Sequence, residues 1–318
     1  MDQQWFGGRI SWLNVAIAAA LCAVVAACGG STPHRTPEVA EVSYQGQPPD
    51  WLALPSRADS VKLAVIGDSG RGWPPQHEVA DRMVAVRERF PFASVLMAGD
   101  NIYEGPATPD DYRQKFEEPY ADLLAADVRF YAVLGNHDDP RQRYYGPFNM
   151  NGERYYTFRP PANPIASIAA PVQVFAIDST NLDRAQVAWL GEQLAASKAR
   201  WKIVLMHHPL YTSGRYGFQA RLTRWQLESL LTSHGVDVVF SGHEHMYERS
   251  LPYGGVVYFI SGAAGSLRRG DSGQSRGMAR SFDEDFSFML VEVTHSALYF
   301  QAMTRAGVTV DAGVLHKR

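Results

Sequence analysis

Five short stretches carry side chains able to do metal chemistry: Gly67-Asp68-Ser69-Gly70, Gly99-Asp100-Asn101-Ile102-Tyr103, Gly135-Asn136-His137-Asp138, Met206-His207-His208-Pro209 and Gly242-His243-Glu244-His245. Between them they offer carboxylates, an amide, imidazoles and a phenol, the ligands that hard and borderline cations take. Two such ions about 3.5–4 Å apart can clamp a phosphoester during in-line displacement at phosphorus. The set therefore points to metal-assisted phosphoester hydrolysis, with Asp100 bridging two ions. One stretch alone would carry little, since a Gly-Asp after a strand is ordinarily a turn. The five in order are another matter, because each follows an apolar run.

Those runs predict the elements that position the chemistry. Val61–Ile66, Ser94–Ala98, Phe130–Leu134, Trp201–Met206 and Val236–Phe240 read as buried strands, each delivering one cluster at its end. In an open α/β sheet that edge is where ligands bind. Helices are expected over His77–Phe90, Asp110–Leu124, Asp183–Ser197 and Arg221–His234, the last with Leu222, Trp225, Leu227, Leu230 and Leu231 facing the core. Tyr155–Phe158, Val172–Ile177 and Val256–Ile260 read as further strands. After a polar loop from Gly262 to Asp285, Phe286–Val293, Ala297–Met303 and Val308–Leu315 read as consecutive antiparallel strands. The pattern gives an α/β fold with parallel pairing and an antiparallel C-terminal part, without internal repeat.

The chain has 318 residues, a formal net charge of -3 and a pI near 6.4, so no basic footprint marks it for nucleic acid. A small phosphorylated substrate fits better. Arg9 is the only basic residue of an N-terminal stretch whose run from Ile10 to Ala27 is almost wholly apolar, which reads as an export signal over residues 1–27. Its end, Val25-Ala26-Ala27-Cys28, resembles the bacterial lipobox, in which the cysteine carries lipid; a plain signal peptide cut after Ala27 is the alternative. Both cysteines, Cys22 and Cys28, lie here, so no disulfide holds the body. Residues 28–57, rich in Pro and Gly, read as a flexible tether and residues 58–318 as the catalytic domain, exported to the periplasm or cell surface.

The order of Gly-Asp-x-Gly, Gly-Asp-x-x-Tyr, Gly-Asn-His-Asp, Val-Leu-Met-His and Gly-His-x-His resembles the calcineurin-like metallophosphoesterases, over about residues 60–315. Tyr103 narrows the resemblance to the purple acid phosphatase branch. It implies a four-layer αββα sandwich of two mixed sheets flanked by helices. It also implies Fe(III) at Asp68, Asp100, Tyr103 and His245, and Fe(II), Zn or Mn at Asp100, Asn136, His207 and His243. The chemistry would be hydrolysis of phosphate monoesters by hydroxide held on the metals. His137 is the candidate acid or substrate-orienting group, with Asp138 fixing its tautomer or stabilising its protonated form, and His208 is either catalytic or packed behind the ligands. Many relatives carry a further histidine nine residues after the ligand matching His207; Tyr216 stands there in this chain.

Two other readings compete. A phosphodiesterase or nucleotide pyrophosphatase would use the same two-metal site. A surface lipoprotein that binds metal without turnover would have no need of seven distinct ligand residues. Arg71, Arg215, Arg268 and Arg269 lie in loops that could reach a substrate phosphate.

Overall fold

The computed structural model describes residues 38–41, 51–161, 172–273 and 277–317; the expected export signal, Cys28 and most of the expected tether lie outside the described residues. Among the described residues the strands form two seven-stranded sheets. The first contains β1 (Glu38–Glu41), β2 (Val61–Ile66), β3 (Ser94–Met97), β4 (Arg129–Ala132), β12 (Ser287–Val293), β13 (Ala297–Thr304) and β14 (Thr309–His316), in the order β1-β14-β13-β12-β2-β3-β4. The second contains β5 (Tyr156–Phe158), β6 (Val172–Ala176), β7 (Trp201–Leu205), β8 (Val238–Ser241), β9 (Tyr247–Ser250), β10 (Val257–Ser261) and β11 (Met278–Phe282), in the order β11-β9-β10-β8-β7-β6-β5. Strands β2, β3 and β4 run parallel, as do β6, β7, β8 and β10, and the C-terminal β12, β13 and β14 form the expected antiparallel meander.

The continuous apolar runs follow from burial on both faces. In β2, Val61, Leu63 and Val65 pack with Ile203, Leu205 and Val238 of the other sheet, while Ala64 and Ile66 pack the opposite way, with Val79 and Met83. Those two belong to α1 (Pro74–Arg87), which opens on two prolines that cost nothing in a first turn. On the outer face of the second sheet, Leu190 and Leu194 of α4 (Arg184–Ala196) and Leu227 and Leu231 of α5 (Gly217–Ser233) close a third apolar cluster. The order of layers is helix, sheet, sheet, helix. Asp183 starts α4 by accepting the Gln186 amide proton at 2.8 Å.

Four local expectations differ from the structure. The single helix over 110–124 is broken into α2 (Pro109–Tyr112), a π-helical turn over Arg113–Glu117 and α3 (Ala121–Ala125). The wider turn seats Phe116 in an aromatic cluster with Tyr120, Phe130 and Phe148. Within α5, Trp225 is 85% exposed and Leu222 53%, so these two do not face the core. The 262–285 loop contains β11, an edge strand without apolar alternation. Finally, β1 pairs with β14, and the Glu292 carboxylate accepts the amides of Ser56 and Arg57 at 2.7 and 2.6 Å. Both stretches fall inside the expected tether, and neither has the hydrophobic pattern that would have marked it.

At the seam between the sheets, Arg249 of β9 donates from Nε to Asp311 of β14 at 2.7 Å, and the Tyr247 hydroxyl donates to the same carboxylate at 2.7 Å. All three side chains are buried.

Candidate metal centre

Every ligand candidate sits in a loop just after a parallel strand: Asp68 after β2, Asp100 and Tyr103 after β3, Asn136 after β4, His207 after β7, His243 and His245 after β8. The loops are tight enough to require glycine. A methyl group at Gly135 would overlap the Asp100 carboxylate, and one at Gly242 would overlap that of Asp68. Asp68, Asp100 and His243 themselves take left-handed backbone, with φ of 54°, 52° and 71°. Such torsions are uncommon outside glycine, though Asp and His adopt them more readily than most, and they concentrate here because the loops must turn ligand atoms towards one point.

Around His207 the donor atoms meet lone pair to lone pair. Its Nδ1 donates to the Ala98 carbonyl at 2.8 Å, so in the neutral tautomer Nε2 is the lone-pair nitrogen. That Nε2 lies 3.0 Å from Asn136 Oδ1, 3.4 Å from Asp100 Oδ1 and 3.3 Å from His243 Nδ1. His243 in turn donates from Nε2 to Gln219 Oε1 at 3.0 Å, so its Nδ1 is also an acceptor. Four acceptors converging with no proton between them fit a cation. Burial, then the neighbouring His207 and His208, lowers the His243 pKa to about 2, which keeps the ring neutral and able to ligate.

The second group is Asp68, Tyr103 and His245, with Asp100 reaching into it as well. The Tyr103 hydroxyl lies 3.2 Å from Asp68 Oδ1 and 3.1 Å from His245 Nε2. One ligand atom each from Asp68, Asp100 and His245 falls within 4.8 Å of the others. Burial drives Asp68 up to about 8, and burial with the Asp68 and Asp100 charges raises the Tyr103 phenol above its ordinary range. By itself, then, this corner holds protons. A cation of high charge reverses both directions, so the donor set suits one. His245 is lowered to about 3 by burial and by Arg268.

His137, exposed, places its ring 5.0 Å from that of Tyr103, and its amide donates to Asp100 Oδ1 at 3.0 Å. No hydrogen bond joins the Asp138 carboxylate to the His137 ring among the described residues. That carboxylate instead accepts the amides of Asn101 (2.7 Å), Ile102 (3.0 Å) and Gly135 (2.8 Å) and the side chains of Asn101 and Gln142, which ties the β3 loop to the β4 loop. His208 Nδ1 lies 3.0 Å from Ser179 Oγ and 3.2 Å from the Ser179 carbonyl, while its buried Nε2 has no partner among the described residues. Burial and His207 lower its pKa to about 4.

Three contributors were not visible beforehand. Ser179 accepts the amides of His207 and His208 at 3.2 and 2.8 Å; it follows β6, the same strand-then-polar plan that marks the ligands, and that plan could have found it. Gln219 has no sequence signal. Glu244, inside the last motif, accepts the Tyr216 amide at 2.8 Å, and burial pushes its carboxyl up to about 7. Tyr216 thereby rests against His243, ring centroids 4.2 Å apart, with the Arg268 guanidinium 5.4 Å from its own centroid. Arg71 lies 3.6 Å above the Tyr103 ring. Arg215 pairs with Asp271 and Arg269 donates to the Glu284 carbonyl.

The calcineurin-like phosphoesterase family model matches residues 61–247 of the chain. The sequence is similar to purple acid phosphatase 17 of Arabidopsis thaliana, 27% identical over 278 residues that span 76% of this chain and 80% of that protein. It is 26% identical to human tartrate-resistant acid phosphatase type 5 over 249 residues, 67% of this chain and 76% of the other. The fold superposes on the purple acid phosphatase PPD1 of yellow lupin with a TM-score of 0.64 at 19% identity, covering 83% of this chain and 55% of that one.

Proposed function

The chain belongs to the calcineurin-like phosphoesterase family, and on that premise we propose that it is an exported purple acid phosphatase-like hydrolase of small phosphate monoesters. Asp68, Asp100, Tyr103 and His245 would hold Fe(III), and Asp100, Asn136, His207 and His243 would hold Fe(II), Zn or Mn, with Asp100 common to both. Such ions acidify bound water and neutralise charge on the transferring phosphoryl group.

The chain's own part is orientation. The imidazoles of His207 and His243 are fixed by the Ala98 carbonyl and Gln219, so these two rings need no rearrangement to ligate. His137 stands exposed beside Tyr103 of the other group and would orient or protonate the substrate. His208 offers an unpartnered Nε2 next to His207 and His243, suited to accept a hydrogen bond from a substrate or water. Arg71 and Arg268 add positive charge at the rim.

The observation that carries this reading is the convergence of four acceptor atoms about His207, one of them from Asp100, which also belongs to the Asp68 group. Two metals per chain, a visible band lost in Tyr103→Phe, and nitrophenyl phosphate turnover abolished in Asp100→Ala are the expected results. A purified protein without metal, or an active Asp100→Ala variant, would sink the proposal. A diesterase is favoured by one feature: Tyr216 packs on His243, so no imidazole stands there to protonate a poor leaving group. Faster turnover of bis-nitrophenyl phosphate than of nitrophenyl phosphate would select it.

Export rests on the apolar leader and anchoring on Cys28. No helix among the described residues is long and apolar enough to cross a membrane. Membrane-fraction partition of wild type against Cys28→Ala decides whether lipid on Cys28 holds the protein.

A further inference from the structure

Helix α5 is apolar on two opposite faces. Leu227 and Leu231 are buried under it, yet Phe218, Leu222 and Trp225, spaced by four and three residues along the outer side, are 67%, 53% and 85% exposed. These three make one continuous stripe. Arg221 lies within it, its guanidinium 5.5 Å from the Phe218 ring centroid, and Arg224 flanks it, 4.7 Å from that of Tyr211. Neither arginine is in an ion pair among the described residues. The one acidic residue of the helix, Glu228, accepts from the Tyr211 hydroxyl. Beside the stripe opens a cleft of about 570 Å³ lined by Tyr211, Thr212, Arg221, Arg224, Glu228 and Tyr253.

We propose that the outer face of α5 docks on an anionic lipid bilayer, with Phe218, Leu222 and Trp225 entering the interface and Arg221 and Arg224 taking lipid phosphates. Phe, Leu and Trp interleaved with arginine and free of exposed acid is the composition that an interfacial helix requires. The whole protein carries a formal charge of -3, so the attraction must be local to this face. A second copy of the chain is a poorer occupant: a two-fold contact through this stripe would set Arg221 and Arg224 against their own equivalents.

The test uses the full chain with vesicles whose acyl chains are brominated, comparing wild type with Trp225→Phe so that quenching of the other tryptophans cancels. Quenching specific to Trp225 is expected with phosphatidylglycerol and not with phosphatidylcholine, and 0.5 M salt should weaken it. Partition should fall by about fivefold for each of Arg221→Ser and Arg224→Ser. It should fall at least about tenfold in Leu222→Ser/Trp225→Ser, with far-ultraviolet dichroism and urea midpoint unchanged as controls for folding. Absence of Trp225-specific quenching overturns the proposal, even where the chain binds vesicles through its N-terminal apolar run. Equal quenching in both lipids overturns the role given to the arginines. A concentration-dependent dimer that disappears in Trp225→Ser, without lipid quenching, assigns the face to a second copy instead.

Discussion

Gln219 shows how much a ligand depends on what stands behind it. Because its Oε1 takes the His243 Nε2 proton, Nδ1 is left to face His207. Replacing it with Leu should weaken metal at the Asn136-His207-His243 group by about 10–100-fold, and Gln219→Glu, which keeps the acceptor, should recover most of this; a chelator-competition titration measures both. His208 gives a pH dependence. Its folded pKa of about 4 lies below the ordinary 6.5, so as pH falls the unfolded chain takes up the proton first. Stability is then lost from about pH 6.5 down to about pH 4, by at most about 3 kcal/mol for this residue. Urea midpoints at pH 7.5 and 4.5 should fall further for wild type than for His208→Gln, and equal falls would mean that His208 does not titrate in this way.

At the scale of elements, the Arg249–Asp311 pair joins β9 to β14 with almost no exposure. Asp311→Ala should cost about 3–5 kcal/mol by removing the carboxylate that faces the buried guanidinium and the Tyr247 hydroxyl, whereas Arg249→Met with Asp311→Leu should recover most of that, as read from urea unfolding. The strands that deliver ligands were legible in the sequence because burial on both faces forces an unbroken apolar run, as in Val61–Ile66 and Trp201–Leu205. β9 and β11 were not, since their pairing is set by neighbours and not by alternation. In α5 the periodicity is helical, yet Leu227 and Trp225 fall on opposite faces, and no periodicity says which apolar stripe the sheet will cover. The ligand clusters could be read because chemistry limits the residue types; Gln219 could not, because many side chains can accept one hydrogen bond.

Across the whole molecule the candidate ligands divide between the sheets. Asp68, Asp100, Tyr103 and Asn136 follow strands of the first, and His207, His243 and His245 follow strands of the second. Removing metal should therefore loosen one sheet from the other. For an ion at about a hundred times its Kd the loss is about 2.7 kcal/mol, or roughly 5–10 °C in Tm for a chain of this size; calorimetry with and without chelator measures it. The same division fixes an order of events. Neither sheet alone assembles the full candidate ligand set, so ions could be held at full affinity only once the two faces have met. They then act as a latch on a finished structure and not as a seed for it. Stopped-flow traces should show chelation raising the unfolding rate by about a hundredfold while leaving the folding rate unchanged.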